Sequence, residues 1–439
     1  MHISRRSFLG LSGATAFAAC APAAFAAQPL LTALPDTFVP SDLKGLQSLA
    51  QQRTRMLGYP VNMNIPQAAF FAWRQKLHEA GLNQFHFNNV GDPFKHSHFG
   101  FNTHDFEREL IERFGRLYGF SHNNIWGFLS HSGTDSNMHG IFIGRTLLQS
   151  RTGVMPKIYY TREAHYSIQI LAHLLNLERI EVDTLADGSM NIADFEARLK
   201  ANPNHPALVV ATIGTTFKGA VDSIDDIQNK LGNRVSYLHL DAALFGGYLP
   251  HTAFADELLH TGSSGQTRYH SIAVSCHKFF GFPAPAGLFI TTRAIFDEFE
   301  TQFGKMHNPE YLLQIPGTIT CSRDAVKPAE FHFYSSAQAF SRQARDARNM
   351  LEATDYLLHE MQTHFSHLTP MRSNPRSVII YFRKPADSIV ERYTLATMTA
   401  AGESENTGDA TSYAHVVVMP HVSKQIIDRF LGDLSKSDS

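Results

Sequence analysis

The chain has 439 residues, of which 43% are hydrophobic and 18% charged, and its formal net charge is -2. This length suggests two or three packed units with room for a large core, and the composition is that of a soluble globular enzyme. No basic block occurs, which argues against a nucleic-acid partner and makes small molecules the expectation.

The N-terminus reads as an export signal. Ser4-Arg5-Arg6-Ser7-Phe8-Leu9 is a twin-arginine pattern, followed by a Gly/Ala-rich run and the small-residue site Ala24-Phe25-Ala26. Residues 1–26 are therefore expected to be a Tat signal, giving a periplasmic or otherwise exported protein. Cys20, after Phe17-Ala18-Ala19, offers the alternative of a lipoprotein, although Phe17 is a poor match to the usual aliphatic residue. No other run reaches the roughly 18 apolar residues of a spanning helix. Removing the signal leaves Cys276 and Cys321, read as free, buried thiols because two cysteines make no disulfide framework.

Residues 27–86 contain helical patches broken by Pro35, Pro40, Pro60 and Pro66, an arm of the kind that wraps a partner subunit. Residues 87–329 read as a large domain. It opens on the turn-rich Phe87-Asn88-Asn89-Val90-Gly91-Asp92-Pro93-Phe94. Next, Phe106, Leu110, Phe114 and Leu117 stand at steps of four, four and three, one face of an amphipathic helix. From Trp126 a short run leads through a small-residue turn into a helix ending near Leu148. Ser132, Gly133 and Thr134 fall at that helix start, where free N–H groups, hydroxyls and the helix dipole suit a phosphate.

From Lys157 onward strands and helices alternate. The strands are Lys157–Tyr160, Arg179–Val182, Ala207–Ile213 and Tyr237–Asp241, and the helices are Ser167–Leu177, Ile192–Lys200 and Ile224–Leu231. The third strand ends in Gly214-Thr215-Thr216. Apolar strands alternating with helices predict a mostly parallel α/β sheet covered on both faces, with ligand residues at the strands' carboxyl ends. His165, Thr215, Asp241 and Lys278 all sit at or just beyond such ends. Residues 330–439 read as a smaller α+β domain. It has a long helix from about Ser335 to His364, the strand Val378–Phe382, a helix near Val390, the strand His415–Met419 and a last helix from Ser423.

The chemistry centres on Ser271-Ile-Ala-Val-Ser-Cys-His-Lys-Phe-Phe-Gly281. A lysine after an apolar strand is by itself an ordinary surface residue. Paired with Asp241 at the end of another apolar strand, it becomes what pyridoxal phosphate needs from a protein: a lysine for a Schiff base and a carboxylate for the pyridinium nitrogen. No metal-ligating set is assigned.

From about Asn88 to the C-terminus the chain resembles the group II pyridoxal-phosphate decarboxylases, in the branch of bacterial histidine decarboxylases and plant serine decarboxylases. The resemblance rests on N-N-V-G-D-P, S-G-T-D-S-N-M, A-H-Y-S, I-G-T-T, H-L-D-A-A, S-C-H-K, T-I-T-C-S-R and A-H-V-V-V-M-P, in that order. It implies fold type I and a homodimer with the active site at its interface. It implies that Lys278 holds the cofactor, Asp241 keeps the ring nitrogen protonated, His165 stacks on the ring and Ala243 packs its other face. Thr215 would support the ring's oxygen or Asp241, and Ser132, Gly133, Thr134, Ser275 and His277 would hold the phosphate. Tyr311 is the candidate acid that returns a proton to Cα; a packed aromatic is its plain alternative.

The implied reaction is α-decarboxylation of an amino acid, with histidine giving histamine as the first reading. Serine or an aliphatic amino acid is the alternative inside the class. Leu312-Leu313-Gln314-Ile315-Pro316-Gly317 is more apolar than the relatives' loop and favours a hydrophobic substrate, whereas Ala414–Pro420 resembles the serine enzymes. An aminotransferase, a β-eliminating lyase and a non-catalytic binding protein are the remaining alternatives.

Overall fold

The computed structural model describes residues 43–259, 267–307, 310, 313–399 and 412–437. The signal, Tyr311 and Leu312 lie outside these residues; Cys276 is a buried free thiol as expected, whereas Cys321, on an irregular stretch, is exposed. The chain divides into Met1–Gln51 and Gln52–Ser439. In the first unit the described residues are helical, and their helix, Leu43–Gln52, sets Leu43, Leu46 and Leu49 at steps of three along one side.

The second unit contains a seven-stranded sheet. Its strands are β1 (Trp126–Ser130), β2 (Lys157–Thr161), β3 (Glu178–Val182), β4 (Ala207–Thr212), β5 (Ser236–Asp241), β6 (Ser271–Ser275) and β7 (Gly287–Thr291). They are ordered β1-β7-β6-β5-β4-β2-β3. Pairing is parallel from β3 through β6, while β7 runs against both β6 and β1. The mostly parallel sheet is the expected one. Strand β7 had not been expected, since Gly-Leu-Phe-Ile-Thr follows two prolines too closely to stand out as a separate strand.

Every residue of β1, β4, β6 and β7 is buried, as continuous apolar strands require when helices cover both faces. Successive side chains alternate between two cores. Leu208 and Val210 join Ile141, Ile143 and Leu147 of the helix Gly133–Thr152. Val209 and Ala211 join Leu110, Ile111 and Phe114 of the helix His104–Leu117. The predicted stripe on the latter helix is buried at Leu110 and Phe114, whereas Phe106 packs in a smaller cluster with Trp73. Ser132 caps the Gly133–Thr152 helix by accepting from the Asp135 amide at 3.2 Å, and Gly153 ends it in the left-handed region.

A buried ion pair joins two of the sequence motifs. Glu107, 0% exposed, accepts from the Leu129 amide at 2.9 Å, Asn89 Nδ2 at 3.0 Å and the Arg323 guanidinium. Arg323 also donates to the Gly91 carbonyl at 3.0 Å and lies over the Phe128 ring. The N-N-V-G-D-P turn and the T-I-T-C-S-R stretch are thereby fixed to β1.

The C-terminal part forms a three-stranded antiparallel sheet, β8 (Ile379–Arg383), β9 (Ala396–Thr399) and β10 (Ser412–Val417), in the order β8-β10-β9. The helices Ala337–His364 and Lys424–Ser437 match the expected positions within two residues, and β9 is a further strand that had not been expected.

Where β4 gives way to its turn, Gly214 has φ +100°, and a Cβ there would lie 2.3 Å from the Phe245 ring. Gly214→Ala is expected to cost about 1–2 kcal/mol for the backbone conformation alone, with the ring clash added to it. Urea denaturation of the variant checks this.

Candidate active site

The carboxyl ends of β4, β5 and β6 open into one cavity of about 170 Å³. Of the predicted site residues, Ser132, Gly133, Thr134, His165, Thr215, Asp241, Ala243, Ser275, His277 and Lys278 all line it. Tyr311 lies outside the described residues. The sequence reading missed Pro60, Asn137, Thr212, Leu244 and Ile379, which line the same cavity.

Local sequence explains each placement. Asp241 ends β5 and its Oδ1 accepts from the Ala243 amide at 3.3 Å. It pairs in register with Thr212 of β4 and Ala273 of β6. By strand alternation Thr212, His239 and Asp241 face the Gly133–Thr152 helix. His239 bonds to Asn137 Oδ1 of that helix at 2.9 Å and to Ser271 Oγ at 2.8 Å. Burial pushes His239 down to about 3, so it stays neutral. The Thr212 amide donates to buried Asp222 at 2.8 Å, as does the Met190 amide.

Lys278 lies in the connection between β6 and β7, which is closed by Cys276 N donating to Ala286 O at 2.9 Å. Solvent reaches its side chain only in part. Burial lowers its ammonium from the ordinary range and Asp241 opposes that shift. The free amine, the form that attacks a carbonyl, is thereby made more accessible. His165 caps the helix Tyr166–Leu174: its Nδ1 lies 2.7 Å from Ser167 Oγ and accepts the Ser167 N–H at 3.3 Å. A neutral ring then carries its proton on Nε2. Burial lowers its pKa, Asp241 raises it and Lys278 lowers it. His277 is also lowered by burial and by Lys278, and its Nδ1 faces the Ala286 carbonyl at 3.3 Å.

Three observations test the fit of pyridoxal phosphate. A Cβ on Gly133 would sit 2.4 Å from Ser275 Oγ, so only glycine lets the helix start meet the end of β6. The Gly133 and Thr134 amides in that first turn have no intrahelical acceptor and suit an anion. Among the described residues Thr212 Oγ1 is buried without a partner beside Asp241. An anion cradle, a carboxylate with an unspent hydroxyl beside it and a depressed lysine amine match the phosphate, the ring nitrogen and the aldehyde of that cofactor. Thr215 is tied at Oγ1 by the Ala220 amide at 3.0 Å, and its hydroxyl hydrogen remains to donate. Among the described residues no group of His, Cys, Asp and Glu could hold a metal ion.

Sheet, cradle and lysine together define a fold type I pyridoxal-phosphate enzyme. Residues 120–363 match the model of the pyridoxal-dependent decarboxylase conserved domain, and the chain belongs to that family. It is 30% identical over 397 residues to histidine decarboxylase of Solanum lycopersicum, covering 89% of this chain and 86% of the relative. It is 32% identical over 399 residues to serine decarboxylase 3 of Oryza sativa subsp. japonica, covering 88% and 79%. The solved L-methionine decarboxylase of Streptomyces sp. 590 superposes with a TM-score of 0.77 at 21% identity, covering 92% of this chain and 97% of that one. The protein is thus a pyridoxal-phosphate-dependent amino-acid decarboxylase of fold type I.

Proposed function

We propose that the protein is an L-amino-acid α-decarboxylase of the histidine type, converting histidine and a proton to histamine and carbon dioxide. The observation that carries the α-decarboxylase reading is that Lys278, Asp241, His165 and the Ser132–Gly133–Thr134 cradle converge on one cavity. The histidine decarboxylases among the relatives, from plant and bacteria, support the choice of substrate.

When bound, the cofactor supplies an electron sink for the pair left by cleavage of the bond to the carboxylate. The protein's own groups do the rest. The helix start, Ser275 and His277 would anchor the phosphate, and Asp241 would hold a proton on the ring nitrogen. His165, neutral and fixed through Nδ1 by Ser167, would lie against the ring. Lys278 would carry the cofactor between turnovers, and Tyr311 is the proposed donor of the proton to Cα.

A second reading, decarboxylation of an apolar amino acid, is favoured by the lining residues Pro60, Leu244 and Ile379 and by Leu313, which is 67% exposed. We also read the chain as a homodimer exported through its twin-arginine signal. Tyr166, Ile170 and Leu174, 57–68% exposed, form an apolar stripe on the helix that begins at His165, a face suited to a second copy. Incubating the holoenzyme with a pool of amino acids and identifying the amine by mass spectrometry tests the substrate. Histamine is expected; a branched or thioether amine moves the assignment to the second reading. A keto acid without carbon dioxide overturns both.

A further inference from the structure

The sequence Ala414-His-Val-Val-Val-Met-Pro420, followed by His421, lines no part of the cavity, yet both histidines grip a segment that does. His421 Nδ1 accepts the Met63 N–H at 3.3 Å, and its Nε2 lies 3.1 Å from the Met56 carbonyl oxygen. One neutral tautomer makes both bonds, and burial pushes the ring down to about 4, which keeps it neutral. His415 is buried, with Nδ1 2.8 Å from Phe217 O and Nε2 2.9 Å from Gly58 O. A neutral ring donates to one of those carbonyls and an imidazolium to both. The ring also stacks on Phe217, with centroids 4.6 Å apart.

The backbone reinforces the grip. Leu57 N donates to Tyr393 O at 3.1 Å, and Leu57 O accepts from Val417 N at 2.7 Å. A Cβ on Gly58 would lie 2.3 Å from Thr394 O, so the segment is pressed against the small sheet with no room to shift. The segment then enters the site. Pro60 lines the cavity, and Asn62 holds the turn that carries the lysine. Its amide donates to Lys278 O at 3.2 Å and its Nδ2 to Phe279 O at 2.9 Å.

We infer that His415 and His421 are positioning residues that clamp residues 56–63, and through Pro60 and Asn62 set one wall of the substrate pocket and the backbone of Lys278. This rests on the reading of the Lys278 cavity as the active site. Two measurements separate the clamp from that reading. In His421→Ala, hydrogen exchange followed by mass spectrometry should show faster exchange at residues 56–63 and unchanged exchange across β4–β6, whatever the cavity does. In kinetics on the identified substrate, the same variant should raise KM about tenfold, as expected for loss of a buried hydrogen bond. Its kcat should change less than threefold.

His421→Gln, which keeps an acceptor for Met63 and a donor for Met56, should return KM to within about twofold of the parent. If His421→Ala fails to fold, Asn62→Ala leaves both histidines in place and should itself raise KM severalfold. Unchanged exchange at residues 56–63 overturns the clamp. Altered exchange with unchanged KM leaves the clamp standing and overturns its role in the pocket. No rescue by glutamine, or an unchanged KM in Asn62→Ala, overturns that role too.

Discussion

Lys278→Ala is expected to yield a folded protein whose amine production falls by at least about 10⁴-fold, because the nucleophile that would hold the cofactor is the lysine side chain. Its amine is held below its ordinary range by burial, and this fixes the sign of a second effect. Between the lowered folded value and 10.5, the unfolded chain binds more protons than the folded one, so the stability of the cofactor-free protein rises with pH across that window. Replacing the lysine with alanine removes that slope. Below the window the variant should be at least as stable as the parent, since no ammonium is then buried. Urea denaturation of both cofactor-free proteins at neutral and alkaline pH checks the slope. An identical pH dependence in parent and variant would show that Lys278 is not held as described.

Arg323→Ala is expected to destabilise the protein by about 3–5 kcal/mol, the range for breaking a buried ion pair from one side. Glu107, at 0% exposure, would then be left with the Leu129 amide and Asn89 as its partners among the described residues. The Gly91 carbonyl and the face of Phe128 would also lose their partner. Exposed pairs such as Arg151 with Glu298 follow a different rule, because solvent screens them and their loss costs within about 1 kcal/mol. Comparing Arg323→Ala with Arg151→Ala in urea decides the point, and a difference under about 1 kcal/mol would remove Arg323 from the account of stability.

Most of the sheet and most of the cavity could be read from the amino acids, for a reason visible at Asp241. An apolar strand that ends in a lone carboxylate marks a carboxyl edge, and in a parallel sheet several such edges meet. His165, Thr215 and Lys278 were found by the same logic, whereas Ser275 came from the family resemblance. Pro60 and Ile379 could not be, because each reaches the cavity by docking of a remote segment and has no ligand-like neighbours in sequence. Thr212 was missed for a different reason: a threonine inside a strand is ordinary, and only its register with Asp241 and its unpartnered hydroxyl set it apart. Strand β7 was missed because two prolines stand just before it, and β9 because four residues carry too little alternation to separate strand from turn.

The bond between Met63 and His421 joins residues 358 apart in the chain. The wall at Pro60 is therefore closed by residues made far apart in synthesis. In a nascent chain the cradle, Asp241 and Lys278 all precede the strand Ser412–Val417, and that wall must wait until His421 has been made. For a chain proposed to leave the cytoplasm by a route that accepts folded cargo, maturation and departure would follow in that order.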